Sequence, residues 1–237
     1  MQVIGLMGYT EKYDFAINLA RTINIMGKSV LVIDATLDRK LKYVIPSMSV
    51  EKSYITQYNG IDFAVGFGSI HEIDNYMNER GINMGLYDYA IIDIDSPKAY
   101  EFFRARGFDK LYFFIESSVL AVEKNKEIAN GFKIFNNASE EKIKMTRVLY
   151  KNFMSRASEK YYVDSITAYG IEWNENEYEI PNDDQDKMVN MDSQLSGIID
   201  VRKHTKYFIN AIAEMTAEIL GDVRAKEVIN EIKRRKE

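Results

Sequence analysis

Short apolar runs alternating with helix-length amphipathic segments predict an α/β domain, doubly wound around a mostly parallel sheet with helices on both faces. Three observations carry this reading. Residues 2–6 (QVIGL) and 29–33 (SVLVI) flank an amphipathic segment, which is the pattern of a βαβ unit. The later runs 87–94 (YDYAIIDI) and 111–115 (LYFFI) are apolar almost throughout, as strands covered on both faces are. Carboxylates or serines follow at the ends of several of these runs, where a doubly wound sheet places its ligands.

The elements follow in order. Strand 2–6 stops at Gly8. Residues 14–26 carry Phe15, Ile17, Leu19, Ile23 and Met26 at near-helical spacing, with Gly27 as a C-terminal stop. Strand 29–33 ends at Asp34. A weaker strand, 61–65 (IDFAV), is closed by Gly66 and Gly68. Helix 69–80 opens with Ser69 and Glu72 spaced as a capping box. Strand 87–94 carries Asp93 near its end, and strand 111–115 precedes Ser117 and Ser118, which cap a helix running to about residue 135. Residues 145–150 read as a strand and 178–180 as a short strand stopping at Pro181. Helices 205–220 and 223–235 finish the chain, with Gly221 between them.

The chain has 237 residues, three prolines and no Ser/Gly-rich linker, which predicts one compact domain over 1–221 and a basic helix or tail over 222–237. Thirty-one Lys+Arg against 36 Asp+Glu give a net charge of −5, which argues against a nucleic-acid footprint spread over the whole surface. There is no cysteine, so disulfides, thiolate metal sites, iron–sulfur clusters and cysteine nucleophiles are excluded. No run approaches the roughly 20 apolar residues of a membrane span, and no secretion signal opens the chain. The expected location is the cytoplasm.

The first turn reads Met7-Gly8-Tyr9-Thr10-Glu11-Lys12-Tyr13-Asp14. A phosphate-binding loop needs glycines to converge backbone N–H groups, a lysine for charge and a Ser/Thr hydroxyl for Mg²⁺. The position of this turn is right and most of that chemistry is absent. The bland readings are as physical: Lys12 as a solvated helix-start lysine, Asp34 as a turn cap, and Asp93 and Asp95 without a ligand. His71 and His204 show no ligand spacing, and Trp173 reads as packing.

Several segments occur together and in order: AINLA after the first turn, GKSVLVIDA at 27–35, YDYAIIDIDSP at 87–97, FDKLYFFIESSVLAVEKNKEI at 108–128 and EIPND at 179–183. As a set, over roughly residues 2–220, they resemble the ParA/MinD family of deviant Walker ATPases. The resemblance implies a P-loop NTPase architecture. It places Gly8 and Lys12 on the family's loop, Tyr13 where the Mg²⁺-binding Thr stands, Asp34 on the first Asp of the Asp-x-Asp pair and Asp93 on the Walker B Asp, the metal-holding position. Asn152 falls where the family has an adenine-contacting Asn-Arg. Met7 stands in place of the lysine that crosses the dimer, Tyr9 and Glu11 replace glycines, and Thr36 replaces the water-positioning Asp. If Glu11 faced the loop's centre, its carboxylate would oppose phosphate.

Phosphoryl transfer depends on positioning and charge stabilisation, so these losses bear on rate. The resemblance therefore implies a pseudo-ATPase. It would hold ATP or ADP with Mg²⁺ weakly or not at all, and would act as a homodimer with a protein partner in a positioning or assembly machine. The degraded loop is similar to the TadZ/CpaE branch, which marks pilus secretion sites; plasmid partition is the sister expectation. The competing expectation is an active ATPase with an unusual loop, working in DNA partitioning or cell positioning, helped by Asp38 or a partner chain. Lys40, Lys42, Lys142, Lys144 and Arg147 are candidate DNA contacts. The C-terminal helix, with Val228, Ile229 and Ile232 beside lysines and arginines, is a candidate contact to the inner membrane face.

Overall fold

The computed structural model describes residues 1–45, 53–135, 142–152, 156–167 and 169–235, with backbone alone at 134–135, 151–152 and 156–159. Its strands are β1 (Gln2–Met7), β2 (Val30–Asp34), β3 (Tyr54–Tyr58), β4 (Ile61–Val65), β5 (Tyr89–Ile94), β6 (Lys110–Ile115), β7 (Ile143–Asn152) and β8 (Ile171–Pro181). They form one sheet in the order β3-β4-β2-β5-β1-β6-β7-β8. All neighbours are parallel except β3 and β4. The helices are α1 (Tyr13–Ile25), α2 (Leu41–Val44), α3 (Ile70–Asn78), α4 (Pro97–Phe103), α5 (Val119–Phe135), α6 (Arg156–Thr167), α7 (Asp184–Ser196), α8 (Lys206–Leu220) and α9 (Ala225–Arg234).

Strand side chains alternate between the two faces, and both faces are covered. Ile4 and Leu6 of β1, Val30 and Val32 of β2, and Tyr89 and Ile91 of β5 join one core with α1, α8 and α9. Val3 and Met7, Leu31 and Ile33, and Ala90, Ile92 and Ile94 join the other core, with α3, α4, α5 and α6. Asp34 and Asp93 share the parity of the first set, so the fold aims both carboxylates toward α1.

Below the first turn lies an aromatic floor. Phe15 of α1 packs edge-on against Phe114, Tyr150 and Phe208, at ring centroid distances of 5.3, 6.1 and 5.9 Å. Such pairs contribute about 0.5–1.5 kcal/mol each beyond their area.

The apolar strands stand within a residue or two of their expected bounds. Ser69 accepts from the Glu72 amide and Glu72 from the Gly68 amide, so the capping pair forms one residue out of its expected register. The largest departure is β8, expected only at 178–180. It is eleven residues long, and its register with β7 shifts between Met145 and Arg147. The residues opposite that shift, Asn174 to Asn176, break the period-two alternation that a strand reading needs. Strand β3 was not expected either; it pairs with β4 through Asn59-Gly60, both at positive φ (51° and 76°). α9 lays Val228 and Ile232, both fully buried, into the core shared with α1 and α8, so the apolar face of the C-terminal helix is engaged within the fold.

Candidate functional site

The site is assembled where β1, β2 and β5 end together. In register, Asp34 pairs with Asp93 across β2 and β5, and Met7 with Ile94 across β1 and β5. The turn after β1 hands the chain to α1, whose N-cap is Lys12.

Lys12 is shut off from solvent, with 1% of its surface exposed. Its Nζ lies 2.7 Å from Asp93 Oδ1. It also donates to the Gly8 carbonyl at 2.7 Å and the Ile94 carbonyl at 3.1 Å. An ammonium has three N–H bonds, and three protein acceptors face this one. The solvated-lysine reading of Lys12 is thus corrected: a buried cation survives only with such partners, and this one has them.

Gly8 makes the turn possible. Its φ is +129°, and a Cβ there would stand 2.4 Å from the Phe114 carbonyl oxygen. Its amide bonds the Ile94 carbonyl at 3.1 Å. The next amide, Tyr9 N–H, donates to Asn125 Oδ1 at 2.7 Å, and Asn125 Nδ2 donates to the Phe114 carbonyl at 3.1 Å. Thr10 Oγ1 donates to the Glu116 carboxylate. Two of the loop's amides are therefore turned to protein acceptors. Positive φ in this turn occurs at Gly8 and not at Tyr9 or Glu11, as their Cβ atoms require.

Glu11 does not face the loop's centre. Its side chain is 65% exposed and lies 3.8 Å from Lys40 Nζ. The repulsion expected from a carboxylate inside the loop is absent, because the side chain escapes to water. Met7 points to the opposite face of the sheet and is fully buried in the second core. Tyr13 packs its ring against the first core, and its phenol meets Gln194. Burial first, then Asp14 and Glu11, push that phenol above its ordinary range.

Asp34 is committed to its own turn. It accepts from Thr36 N–H at 3.1 Å, Thr36 Oγ1 at 2.6 Å and Leu41 N–H at 2.8 Å. Burial pushes its carboxyl up to about 6; the Thr36 bond works against this and neighbouring Asp93 with it. Asp95 accepts from Leu37 N–H at 3.0 Å and is also raised, again chiefly by burial. The structure thus gathers Gly8, Lys12, Asp34 and Asp93 in one place. Asn152 ends β7, and its side chain lies outside the described residues.

Mg·ATP would have to be held by these residues. Asp93 holds Lys12, Thr36 is tied to Asp34, and Tyr13 offers no hydroxyl at the expected metal position. The residues present do not fit a phosphate-bound Mg²⁺.

Sequence reasoning missed Asn125, fully buried under the loop and bonded to both strand end and loop. Its signal was a polar residue on the inner face of an amphipathic helix. His204, which shows no ligand spacing in the sequence, is a buried structural histidine: its Nδ1 lies 3.0 Å from Asp186 Oδ1, while Asp186 accepts from Thr205 N–H and Oγ1 at 2.8 Å. Asp186 ties the start of α7 to the start of α8. Asp183 caps α7, accepting from Gln185 N–H at 2.8 Å. Trp173 donates to Thr167 Oγ1 and packs edge-on against Phe113, a packing role. Lys144 and Arg147 face Glu172 and Glu177 of β8 at 3.8 and 2.6 Å, so each has a carboxylate beside it.

No family model matches the chain, and no curated protein matches it in sequence. Solved structures do. It is similar to a ParA family ATPase from Chlorobium tepidum TLS at 14% identity and TM-score 0.55, covering 99% of each chain. A chain of the MinC:MinD cell division protein complex of Aquifex aeolicus is 15% identical at TM-score 0.59, over 94% of this chain and 97% of that one. A candidate plasmid partition protein from Borrelia burgdorferi B31, bound to AMPPNP, is 14% identical at TM-score 0.55, over 94% and 99%. The fold is that of the ParA and MinD ATPase structures.

Proposed function

We propose that this chain is a ParA/MinD-like pseudo-ATPase that works as a positioning or assembly factor. Its cargo is a pilus or secretion system to be localised or a plasmid to be partitioned. It acts as a homodimer with a protein partner, in the cytoplasm or at the inner membrane face. Residues 1–221 carry its working site, and 222–237 add a basic helix packed on the same core.

One observation supports this above the rest: the Lys12 ammonium donates to the Gly8 and Ile94 carbonyls and lies 2.7 Å from the Asp93 carboxylate as an ion pair. In a working loop that cation serves phosphate oxygens. Here it closes the loop on itself, and breaking such a buried pair costs about 3–5 kcal/mol. Phosphate entry would have to offset that cost with a loop whose first two amides are already bonded.

Calorimetry and a turnover assay with Mg·ATP, with and without DNA and lipid vesicles, test the reading. The expected outcome is binding no tighter than about millimolar and no turnover above the buffer rate. Ordinary turnover, lost in Lys12→Ala, overturns it.

A second reading keeps one observation of its own. No side chain caps α1, and an uncapped helix start favours an anion. An active ATPase with an unusual loop, working in partitioning, would bind triphosphate there. The same titration separates the two.

A further inference from the structure

We propose that the cleft between α3 and α4 binds a small organic acid with an apolar body, on the face of the sheet opposite to Lys12. The reading goes beyond the proposed function and stands whatever the loop after β1 binds.

The cleft is a cavity of about 470 Å³ at the carboxyl ends of β2, β4 and β5. Open α/β sheets bind their ligands in crevices at that edge, and the volume is that of a small-molecule site. Three segments wall it: the turn after β2, the Phe67-Gly68-Ser69 turn after β4, and α4. Ala35, Phe67, Ala99 and Phe103 make its floor, and all four belong to the second core. Two larger apolar side chains stand at the rim, Leu37 at 62% exposed and Phe102 at 44%. A ligand with an apolar body would rest on the floor and cover both.

The polar groups set the charge of that ligand. Arg39 lines the cavity from the turn after β2, and Lys98 lines it from α4. Among the described residues neither is engaged by a carboxylate. Lys98 Nζ lies 5.9 Å from the centre of the Phe102 ring, so this cation sits at the apolar rim. Glu72 is the one carboxylate lining the cavity, and it already accepts from the Gly68 amide at 2.7 Å. Two cations above an apolar floor suit an acid, and a guanidinium fork matches the two oxygens of a carboxylate.

Arg39 is presented at a conformational cost. Its φ is 51°, in the left-handed region that side chains with a Cβ avoid. The turn is nevertheless tied down. Leu37 N–H donates to Asp95 Oδ1 at 3.0 Å, and Arg39 N–H donates to the Thr36 carbonyl at 3.2 Å. A turn shaped for stability alone would carry glycine at that position. Strained backbone that offers a cation to a cavity is a mark of a ligand clamp.

Calorimetric titration of the full chain with three probes of one shape reads the site: naphthoate, naphthylmethanol and naphthylmethylammonium. The acid should bind at least about tenfold tighter than the alcohol, and the ammonium weakest of all. The double variant Arg39→Gly/Lys98→Ala should bind acid and alcohol alike, whereas Phe102→Ser should weaken both. Arg39→Gly should melt no lower than the wild type, because glycine adopts that φ freely, so its effect on binding is not a loss of fold. Equal affinity of acid and alcohol in the wild type overturns the proposal. So does an acid preference that survives in the double variant, or no heat of binding for the acid up to roughly 5 mM. A lower melting point for Arg39→Gly overturns the strained clamp.

Discussion

Lys12 and Asp93 form an ion pair at 2.7 Å with both side chains withdrawn from water. It joins the start of α1 to the end of β5, two elements that are far apart in sequence. The Lys12 ammonium is thereby part of the protein's own packing.

Lys12→Met should therefore unfold at markedly lower urea concentration than the wild type. Removing the cation leaves the Asp93 carboxylate buried without its partner, a loss of about 3–5 kcal/mol. Adding Asp93→Leu should recover at least about 2 kcal/mol of it, because the orphaned charge goes too. Equilibrium unfolding of both variants measures this. A lysine kept for a ligand alone would give near-neutral single variants.

Gly8→Ala should cost about 2–4 kcal/mol. The backbone there has φ of +129°, and the new Cβ would press on the Phe114 carbonyl at 2.4 Å. The same unfolding curve tests it, and the loss should appear without any nucleotide present.

Met7→Lys, which puts a lysine where the resemblance to ParA/MinD ATPases expects one, should not create nucleotide binding on its own. Met7 faces the second core beside Phe113 and Ile94, on the side of the sheet away from the loop. A lysine there buries an unpaired charge, with an expected loss of several kcal/mol. Thermal unfolding checks it; a variant as stable as wild type that binds ATP would show that the strand end can turn over.

Asp34 predicts a pH dependence. Its folded value near 6 exceeds the ordinary 3.8 because it is buried. A raised carboxyl binds its proton more tightly when folded, so its contribution is complete below about pH 4 and is lost as pH rises through about 6. The loss is on the order of 3 kcal/mol. Asp34→Asn stays neutral, so the wild type's advantage over it should shrink by roughly that amount between about pH 4 and pH 7. Urea midpoints for the pair across that range measure it; a constant difference removes the cause assigned here.

Much of the fold was legible because each apolar strand carries its own evidence. Residues such as Ile4 and Leu6 are buried whatever the neighbours do. The polar elements were less so. β8 hides behind Asn174-Glu175-Asn176, and α6 lacks a clear apolar stripe until Val163 and Ile166 meet the second core. The Asn59-Gly60 pair was a readable hairpin signal that would have found β3. At the site, the parity of Asp34 and Asp93 could be read from strand alternation alone. The engagement of Lys12 could not, because it depends on carbonyls at Gly8 and Ile94 that only the closed turn brings within reach. Nor could the outward swing of Glu11, which sequence spacing does not determine.

The shifted register of β8 has a consequence for how copies of the molecule can meet. β8 is the last strand of the sheet, and Glu172, Glu175, Glu177 and Glu179 run along it. A foreign strand offered to that rim would find its hydrogen-bond ladder broken midway and a row of carboxylates opposite it. Growth by strand addition into fibrous aggregates is discouraged on that border.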